Sequence, residues 1–227
     1  PEAFRRSKWG GFDPSPPFDI LLGEGGWMST AQDTLETLRR GNAAFIHEVA
    51  SSDGAISIPT PDHGVVPPQK PMAVVLSCAD SRVPPEVIFQ QGCGRIFVHR
   101  VAGHVLDVHM SESIEFGCAG LGAKLVLVLG HRDCGAIKST LGYPKGSTDS
   151  FPYLETVREA IRPAVESCQH DYDSASDKNE VIHAAVEQHV VATVKKVREV
   201  SSGWGDGIEV VGAVFDISSG EVSFLEE

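Results

Sequence analysis

Two apolar runs, each leading into a cluster of reactive side chains, organise the sequence. The first reads Met72-Ala73-Val74-Val75-Leu76 and leads into Cys78-Ala79-Asp80-Ser81-Arg82. The second reads Leu125-Val126-Leu127-Val128-Leu129 and leads into His131-Arg132-Asp133-Cys134-Gly135. Continuous Val/Leu runs are typical of parallel strands that are buried on both faces. We therefore predict an α/β fold with a mostly parallel central sheet flanked by helices, and we place both clusters at strand ends.

The two clusters together predict a metal site. Ligands of an open parallel sheet bind beyond the carboxyl ends of its strands, so Cys78, His131 and Cys134 converge if the two strands are neighbours. Two thiolates and one imidazole suit zinc, and three protein ligands leave a fourth position open, as in catalytic sites. The first cluster supplies one thiol rather than a Cys-x-x-Cys pair, which argues against a closed structural site. The alternative is two buried thiols and a loop histidine, since free cysteine is commonly a small core residue.

Asp80 and Arg82 form a second candidate pair, two residues apart on the loop after the first strand. A guanidinium can hold a carboxylate through two parallel hydrogen bonds. The alternative is a surface ion pair that contributes little.

These motifs resemble those of the β-class carbonic anhydrases, whose pattern is Cys-x-Asp-x-Arg followed by His-x-x-Cys-Gly. The resemblance continues through residues 97–105, 113–116 and 212–222, and it covers about residues 31–227. It implies a single β-carbonic-anhydrase-like α/β domain, which we place at 29–227, with an oligomeric core. Residues 1–28 would form an N-terminal arm.

The resemblance implies a zinc enzyme that hydrates CO2 reversibly to bicarbonate and a proton by zinc-bound hydroxide. Cys78, His131 and Cys134 would be the zinc ligands, and Asp80 and Arg82 the catalytic pair. In one state of the family the aspartate is held by the arginine, and in another it becomes the fourth metal ligand; we expect the first state at neutral pH. Hydrolysis of COS or CS2 at the same site and a non-catalytic zinc scaffold remain alternatives, although a scaffold has no need of Asp80 and Arg82.

The resemblance also implies a substrate pocket, although each of its positions has an ordinary structural explanation as well. Its residues would be Gln69, Phe97, Ala102, Gly103 and Gly135. His104 departs from the asparagine usual in many members. It could relay protons, but a lone histidine is more often a hydrogen-bonding residue of a core or loop.

Composition limits the partners. The formal net charge of −12 argues against nucleic acid or an anionic membrane as a partner. No apolar run approaches the roughly 20 residues needed to span a bilayer. Five cysteines, an odd number, do not suggest a disulfide framework and favour a reducing compartment, cytoplasmic or organellar. The sequence begins at Pro1, which we interpret as a processed or trimmed form, and a removed targeting peptide is left open.

The first 28 residues combine helix-breaking Pro and Gly with several aromatic and aliphatic side chains. We expect an extended arm that packs on a partner subunit; a disordered leader is the alternative. Together with the dimeric core implied by the resemblance, the arm predicts a homodimer, or a homotetramer built from two dimers.

Helix patterns fill the rest of the chain. We expect a helix from Ser29 or Thr30 to about Val49, whose apolar stripe comprises Leu35, Leu38, Ala43, Ala44 and Phe45. Further helices are predicted at Ser111–Gly120 with Ser111 as cap, at Phe151–Cys168 and at Asp177–Val200, before two closing strands. Cys93, Cys118 and Cys168 are interpreted as structural. His183 and His189 are six residues apart and share no helix face, which argues against a metal site there.

Overall fold

A five-stranded sheet forms the centre of the protein in a computed structural model that describes residues 30–51, 66, 68–143 and 153–225. Its spatial order is β2-β1-β3-β4-β5. The first four strands run parallel and β5 is antiparallel to β4, which confirms the predicted mostly parallel sheet. The strands are β1 Ala73–Ser77, β2 Ile96–Arg100, β3 Leu125–His131, β4 Glu209–Phe215 and β5 Val222–Phe224.

Helices cover both faces of the sheet. They are α1 Ala31–Ser51, α2 Pro85–Ile88, α3 Val108–Glu115, α4 Gly135–Gly142, α5 Glu155–Val165, α6 Gln169–Ser174 and α7 Asn179–Ser201. Val74 and Leu76 of β1 share a core with α4, α5 and α7, whereas Ala73 and Val75 share the opposite core with α1 and α2. Alternate residues of one strand therefore enter two cores, which explains why the run is apolar throughout.

Helix α1 begins where the sequence predicts. The Asp33 N–H donates to Thr30 Oγ1 at 3.1 Å, and the Thr30 N–H donates to Asp33 Oδ2 at 3.1 Å, so each residue caps the other. Gly41 lies where α1 crosses the chain after α2, and a Cβ there would lie 1.8 Å from the Phe89 carbonyl oxygen. Gly41 therefore weakens helix α1 locally but is needed for the close packing of α1 against Phe89.

The buried face of α1 differs from the predicted stripe. Ala43 and Ala44 are exposed, while Asn42 is buried between Leu38 and Phe45. Asn42 Nδ2 donates to the Gly220 carbonyl at 2.8 Å, and Asn42 Oδ1 accepts from the Val222 N–H at 3.0 Å. The stripe was wrong at these positions because a polar side chain that finds partners at β5 can occupy the core-facing position.

The predicted helix at Ser111–Gly120 begins earlier. Asp107, not Ser111, is the cap, since its Oδ1 accepts from the Met110 N–H at 2.9 Å. An α-helix follows over Val108–Glu115, and Phe116–Gly120 forms one π-helical turn. Both Asp and Ser favour cap positions, so residue type alone did not decide between them.

The predicted helix at Phe151–Cys168 is shorter than expected. It begins at Glu155 and ends at Val165, two residues after Pro163, which has no N–H to donate to the preceding turn. A 3-10 turn, Glu166–Cys168, then leads into α6. Helix α7 agrees with its predicted bounds within two residues and contributes buried Ile182, Val186 and Val190.

Residues 1–28 lie outside the described residues, so the arm and its boundary with the domain stay predictions. Within the part of the chain that the structure describes, no helix combines the length and apolarity required to cross a membrane.

Candidate metal centre

Three side chains meet at the carboxyl ends of β1 and β3. Cys78 follows the last residue of β1, His131 is the last residue of β3, and Cys134 directly precedes α4. The two strands are parallel neighbours, with Ser77 opposite Leu129. The ligand atoms of Cys78, His131 and Cys134 lie within 4.8 Å of one another, and all three residues are buried. The structure therefore brings together the three residues that the sequence nominates.

The donor atoms of this cluster fit a metal ion. His131 Nδ1 lies 2.8 Å from the Arg132 carbonyl and donates to it, which leaves Nε2 as the bare nitrogen. That nitrogen is buried and has no hydrogen-bond partner among the described residues. An imidazole nitrogen without a partner beside two sulfurs is a donor set that zinc prefers.

The pKa values of the two thiols, Cys78 and Cys134, shift in opposite directions. A hydrogen bond from Cys134 lowers the pKa of Cys78, with smaller contributions in the same direction from His131 and the Gly103 N–H. The same interaction with Cys78 and burial raise the pKa of Cys134. The two sulfurs are therefore coupled through a shared hydrogen bond, and metal binding would release the proton that they share.

A carboxylate is fixed beside this cluster. Arg82 Nε lies 2.9 Å from Asp80 Oδ1 and Arg82 Nη2 lies 2.7 Å from Asp80 Oδ2, while the Arg82 backbone N–H also donates to Oδ1 at 2.9 Å. Asp80 Oδ2 lies 4.0 Å from His131 Nε2. Hydrogen bonds from the Arg82 side chain hold the pKa of Asp80 well below its usual range, so this carboxylate is ionised throughout the neutral range.

Comparison with known proteins places the chain. The family model described as "Carbonic anhydrase" matches residues 73–222. The "Carbonic anhydrase 2" of Mycobacterium tuberculosis is 36% identical over 191 residues, which is 82% of this chain and 88% of that protein. The chain belongs to the carbonic anhydrase family.

Solved structures of this family share the fold. A tetrameric β-carbonic anhydrase from Sordaria macrospora superposes with a TM-score of 0.60 at 23% identity, over 86% of this chain and 93% of that chain. The Coccomyxa β-carbonic anhydrase, solved with acetazolamide, gives a TM-score of 0.62 at 24% identity, over 86% of this chain and 83% of that chain. The fold of the chain is therefore that of the β-class.

The pocket residues that the family resemblance suggests do not all lie at the cluster. Gly103 does, since its N–H donates to Cys78 Sγ at 3.3 Å, and Ala102 precedes it in a 3-10 turn. Gly135 is the first residue of α4 and is exposed, and a Cβ there would meet no atom within 4 Å. Phe97 lies opposite Val74, four residues before Cys78, and packs edge-on against Phe116 with ring centroids 6.1 Å apart.

Gln69 lies apart from the other candidates. It is exposed and precedes β1, whereas the cluster lies after β1. A strand of five residues spans about 17 Å. Within one chain, Gln69 therefore lies at the opposite end of the sheet from the cluster.

Sequence reasoning missed two residues that hold the site. Arg100 closes β2, and its Nε and Nη2 donate to the backbone carbonyls of Cys78 and Asp80 at 3.1 and 2.5 Å. Asp133 accepts from Arg82 Nη1 at 3.4 Å and also binds Lys138. The signal for Arg100 was a charged residue closing a strand beside the cluster, whereas nothing local marks Asp133 as a partner of Arg82.

A cavity of about 460 Å³ borders the Arg82–Asp133 ion pair. Arg82 and Asp133 contribute to its wall, together with Arg132, His183 and Asp216. Arg132 Nε donates to His183 Nε2 at 2.8 Å, and Arg132 Nη1 lies 3.0 Å from Asp216 Oδ2. Arg132 is thus paired with two other lining residues, and none of the three cluster residues lines the cavity.

Proposed function

We propose that this protein catalyses the reversible hydration of CO2 to bicarbonate and a proton, at a zinc ion held by Cys78, His131 and Cys134. The proposal is supported chiefly by an ionised carboxylate fixed 4.0 Å from the bare nitrogen of a buried Cys/His/Cys cluster. When bound, zinc supplies a Lewis acid that makes a bound water acidic near neutral pH, for which carbonic anhydrases are the standard example.

Asp80 orients the attacking water in this proposal. Its Oδ2 lies on the cluster side of the carboxylate and can accept a hydrogen bond from that water. Arg82 already donates to both carboxylate oxygens, so the carboxylate cannot rotate without breaking at least one short hydrogen bond. Asp80 would thereby keep its acceptor oxygen pointed at the place where a metal held by Cys78, His131 and Cys134 would supply hydroxide for attack on CO2.

The remaining pocket residues have proposed roles that follow from their positions. Gly135 begins an eight-residue helix, and backbone N–H groups at a helix start favour an anion such as bicarbonate. Ala102 and Gly103 offer a small, partly apolar surface beside Cys78 for CO2. Phe97 lies near the start of β2, five residues before Ala102, and is proposed only as a more distant apolar wall. Gln69 can reach such a site only from a second copy of the chain.

We propose self-association as a homodimer or homotetramer. The structurally similar Sordaria macrospora enzymes are described as tetrameric. Among the strands that the structure describes, β2 is at the edge of the sheet, and Phe116 beside it is 46% exposed. Analytical ultracentrifugation should show at least a dimer; a folded, active species of 24.3 kDa would contradict this.

Stopped-flow CO2 hydration, with zinc content measured on the same sample, tests the function. We expect about one zinc per chain, as the three-ligand cluster requires, and activity that disappears with the metal. COS and CS2 should be assayed in parallel, because the same site chemistry could act on them. A zinc-loaded protein that does not hydrate CO2 would overturn the proposal.

A further inference from the structure

Two hydrogen bonds, both made by the backbone of Gly103, connect helix α7 to the metal cluster. His189 Nε2 lies 2.8 Å from the Gly103 carbonyl oxygen, and the Gly103 N–H lies 3.3 Å from Cys78 Sγ. Both contacts are buried, and His189 itself is 2% exposed. A side chain from the far end of the sequence thus reaches a metal ligand through a single residue.

We propose that His189 is a positioning residue for the metal centre, which fixes Gly103 so that its N–H donates to the Cys78 sulfur. The inference rests on the proposed role of Cys78 as a metal ligand. His189 touches neither the cluster nor a substrate, and it acts through Gly103 alone.

Gly103 needs an external anchor. Its φ of +64° interrupts the 3-10 turn in which it lies. A Cβ at this position would lie 2.6 Å from Ile161 Cδ1 and 3.0 Å from Ala136 Cβ, so a larger residue would be strained by its backbone and would have to displace Ile161. Glycine is the most freely rotating residue. The two hydrogen bonds hold the peptide units on either side of its Cα, which sets the direction of the N–H.

The surroundings of His189 make it a hydrogen-bond donor to Gly103. Burial lowers its pKa to about 4, so the ring is neutral near neutral pH and carries a single N–H. Nδ1 has no hydrogen-bond partner among the described residues, so Nε2 carries the proton and donates it to Gly103.

His104 supports the ring of His189 by packing. The two ring centroids lie 4.5 Å apart, and neither nitrogen of His104 has a partner in the described part of the chain. A Cβ at Gly130, the residue before His131, would lie 3.5 Å from His104 Cε1. The His104 ring therefore fills the space between α7 and the end of β3 and adds no hydrogen bond to the two made by Gly103.

The hydrogen bond to sulfur has a chemical consequence. A thiolate that accepts an N–H donates less charge to a bound metal, and outer hydrogen bonds of this kind tune metal affinity and electronic structure. Removal of His189 should leave both thiolates on the metal but make the Cys78 sulfur more electron-rich.

Cobalt(II) substitution of the full-length protein tests this, because thiolate-to-cobalt charge transfer reports the electron density on sulfur. His189→Leu removes the donor while keeping an apolar side chain. The charge-transfer band of this variant should move to longer wavelength with unchanged intensity per thiolate. Its metal affinity in competition with a chelator should fall roughly tenfold to 100-fold, because Cys78 is no longer held in position. His189→Gln, whose amide can still donate to the Gly103 carbonyl, should restore the wild-type band.

Val190→Ala is the matched control, since Val190 is a buried neighbour on the same helix that packs near Gly130 without a hydrogen bond to the site. Its band should not move. If His189→Leu does not fold, His189→Asn replaces it, because this shorter amide does not reach Gly103 and should give the same shift. If the His189 variants have the same band as the wild type, or if Val190→Ala shifts the band as much as they do, the role of His189 is overturned while the metal site stands. Absence of any thiolate band in the wild type would overturn the metal site and the inference with it.

Discussion

Arg82 holds Asp80 through both carboxylate oxygens, with Nε 2.9 Å from Oδ1 and Nη2 2.7 Å from Oδ2. The remaining arm of the guanidinium, Nη1, faces Asp133. One arginine therefore bridges two carboxylates, and the Oδ2 atom of one of them, Asp80, lies 4.0 Å from His131 Nε2 in the metal cluster. Asp80 is therefore the residue proposed to act on water, whereas Arg82 and Asp133 keep Asp80 in place.

Asp80→Asn should fold and retain zinc but lose most CO2 hydration, because the amide has a similar size and cannot replace the anionic acceptor. We expect a loss of at least about tenfold, the lower end of the effect of removing an orienting partner. Stopped-flow assays and metal analysis of the same samples measure it. Asp107→Asn, the same change at a helix cap that Asn also satisfies, is the control. Near-wild-type activity of Asp80→Asn at high pH would remove Asp80 from the mechanism.

Cys134→Ala should abolish stoichiometric zinc binding, since it removes one of the three clustered ligands. Cys118→Ala is the matched control, because Cys118 is equally buried and lies outside the cluster. Elemental analysis of both variants after dialysis against a chelator gives the comparison. Full metal content in Cys134→Ala would show that the ligand assignment is wrong.

Asp133→Asn should lower the CO2 hydration rate by less than Asp80→Asn does and leave zinc content unchanged. The substitution keeps the shape and tolerates the positive φ of +61° at this position, but it removes the charge that faces Arg82. Lys138→Met removes the other partner of Asp133 and serves for comparison. Equal activity of Asp133→Asn and wild type would mean that Arg82 needs no second carboxylate.

Gly41→Ala should destabilise the protein although it raises local helix propensity. The added Cβ would lie 1.8 Å from the Phe89 carbonyl oxygen, so helix α1 must shift. We expect a loss of about 1–3 kcal/mol in the free energy of unfolding, as for other overpacked sites. Gly203→Ala, where a Cβ meets no atom within 4 Å, should change it by less than about 0.5 kcal/mol. Urea denaturation followed by circular dichroism distinguishes the two, and equal stabilities would contradict the close contact.

Stability should fall in mild acid because of His189. Burial lowers its pKa from 6.5 to about 4 in the folded state, so the unfolded state binds more protons between those values. The free energy of unfolding therefore decreases as pH drops through this window, by up to about 3 kcal/mol from this group at 1.36 kcal/mol per pKa unit. Metal-free wild type should lose more stability between pH 7 and pH 5 than metal-free His189→Gln does. Parallel losses would show that His189 does not titrate in this way.

Much of the site could be predicted from the sequence because its signals are local. A Val/Leu run that ends in Cys78 or His131 places the ligand at a strand end without knowledge of the rest of the fold, since strand burial and ligand type are both visible in neighbouring residues. The pair Asp80 and Arg82 was visible for the same reason, since only Ser81 separates the partners. Errors arose at Ser111, because Asp107 is an equally suitable cap by residue type, and at Ala43 and Ala44, because buried Asn42 finds partners distant in the chain.

The sequence by itself determined the parallel α/β fold, the three clustered donors and the carboxylate–guanidinium pair. Only the tertiary structure decided which distant residues support them. His189 and Gly103 are 86 residues apart in the chain, and Arg82 and Asp133 are 51 apart. It also placed Gln69 at the other end of β1 from the cluster. Hydrogen bonds of this kind depend on where folding brings a donor and an acceptor. The residues next to a donor in the sequence do not indicate which distant residue will be its acceptor.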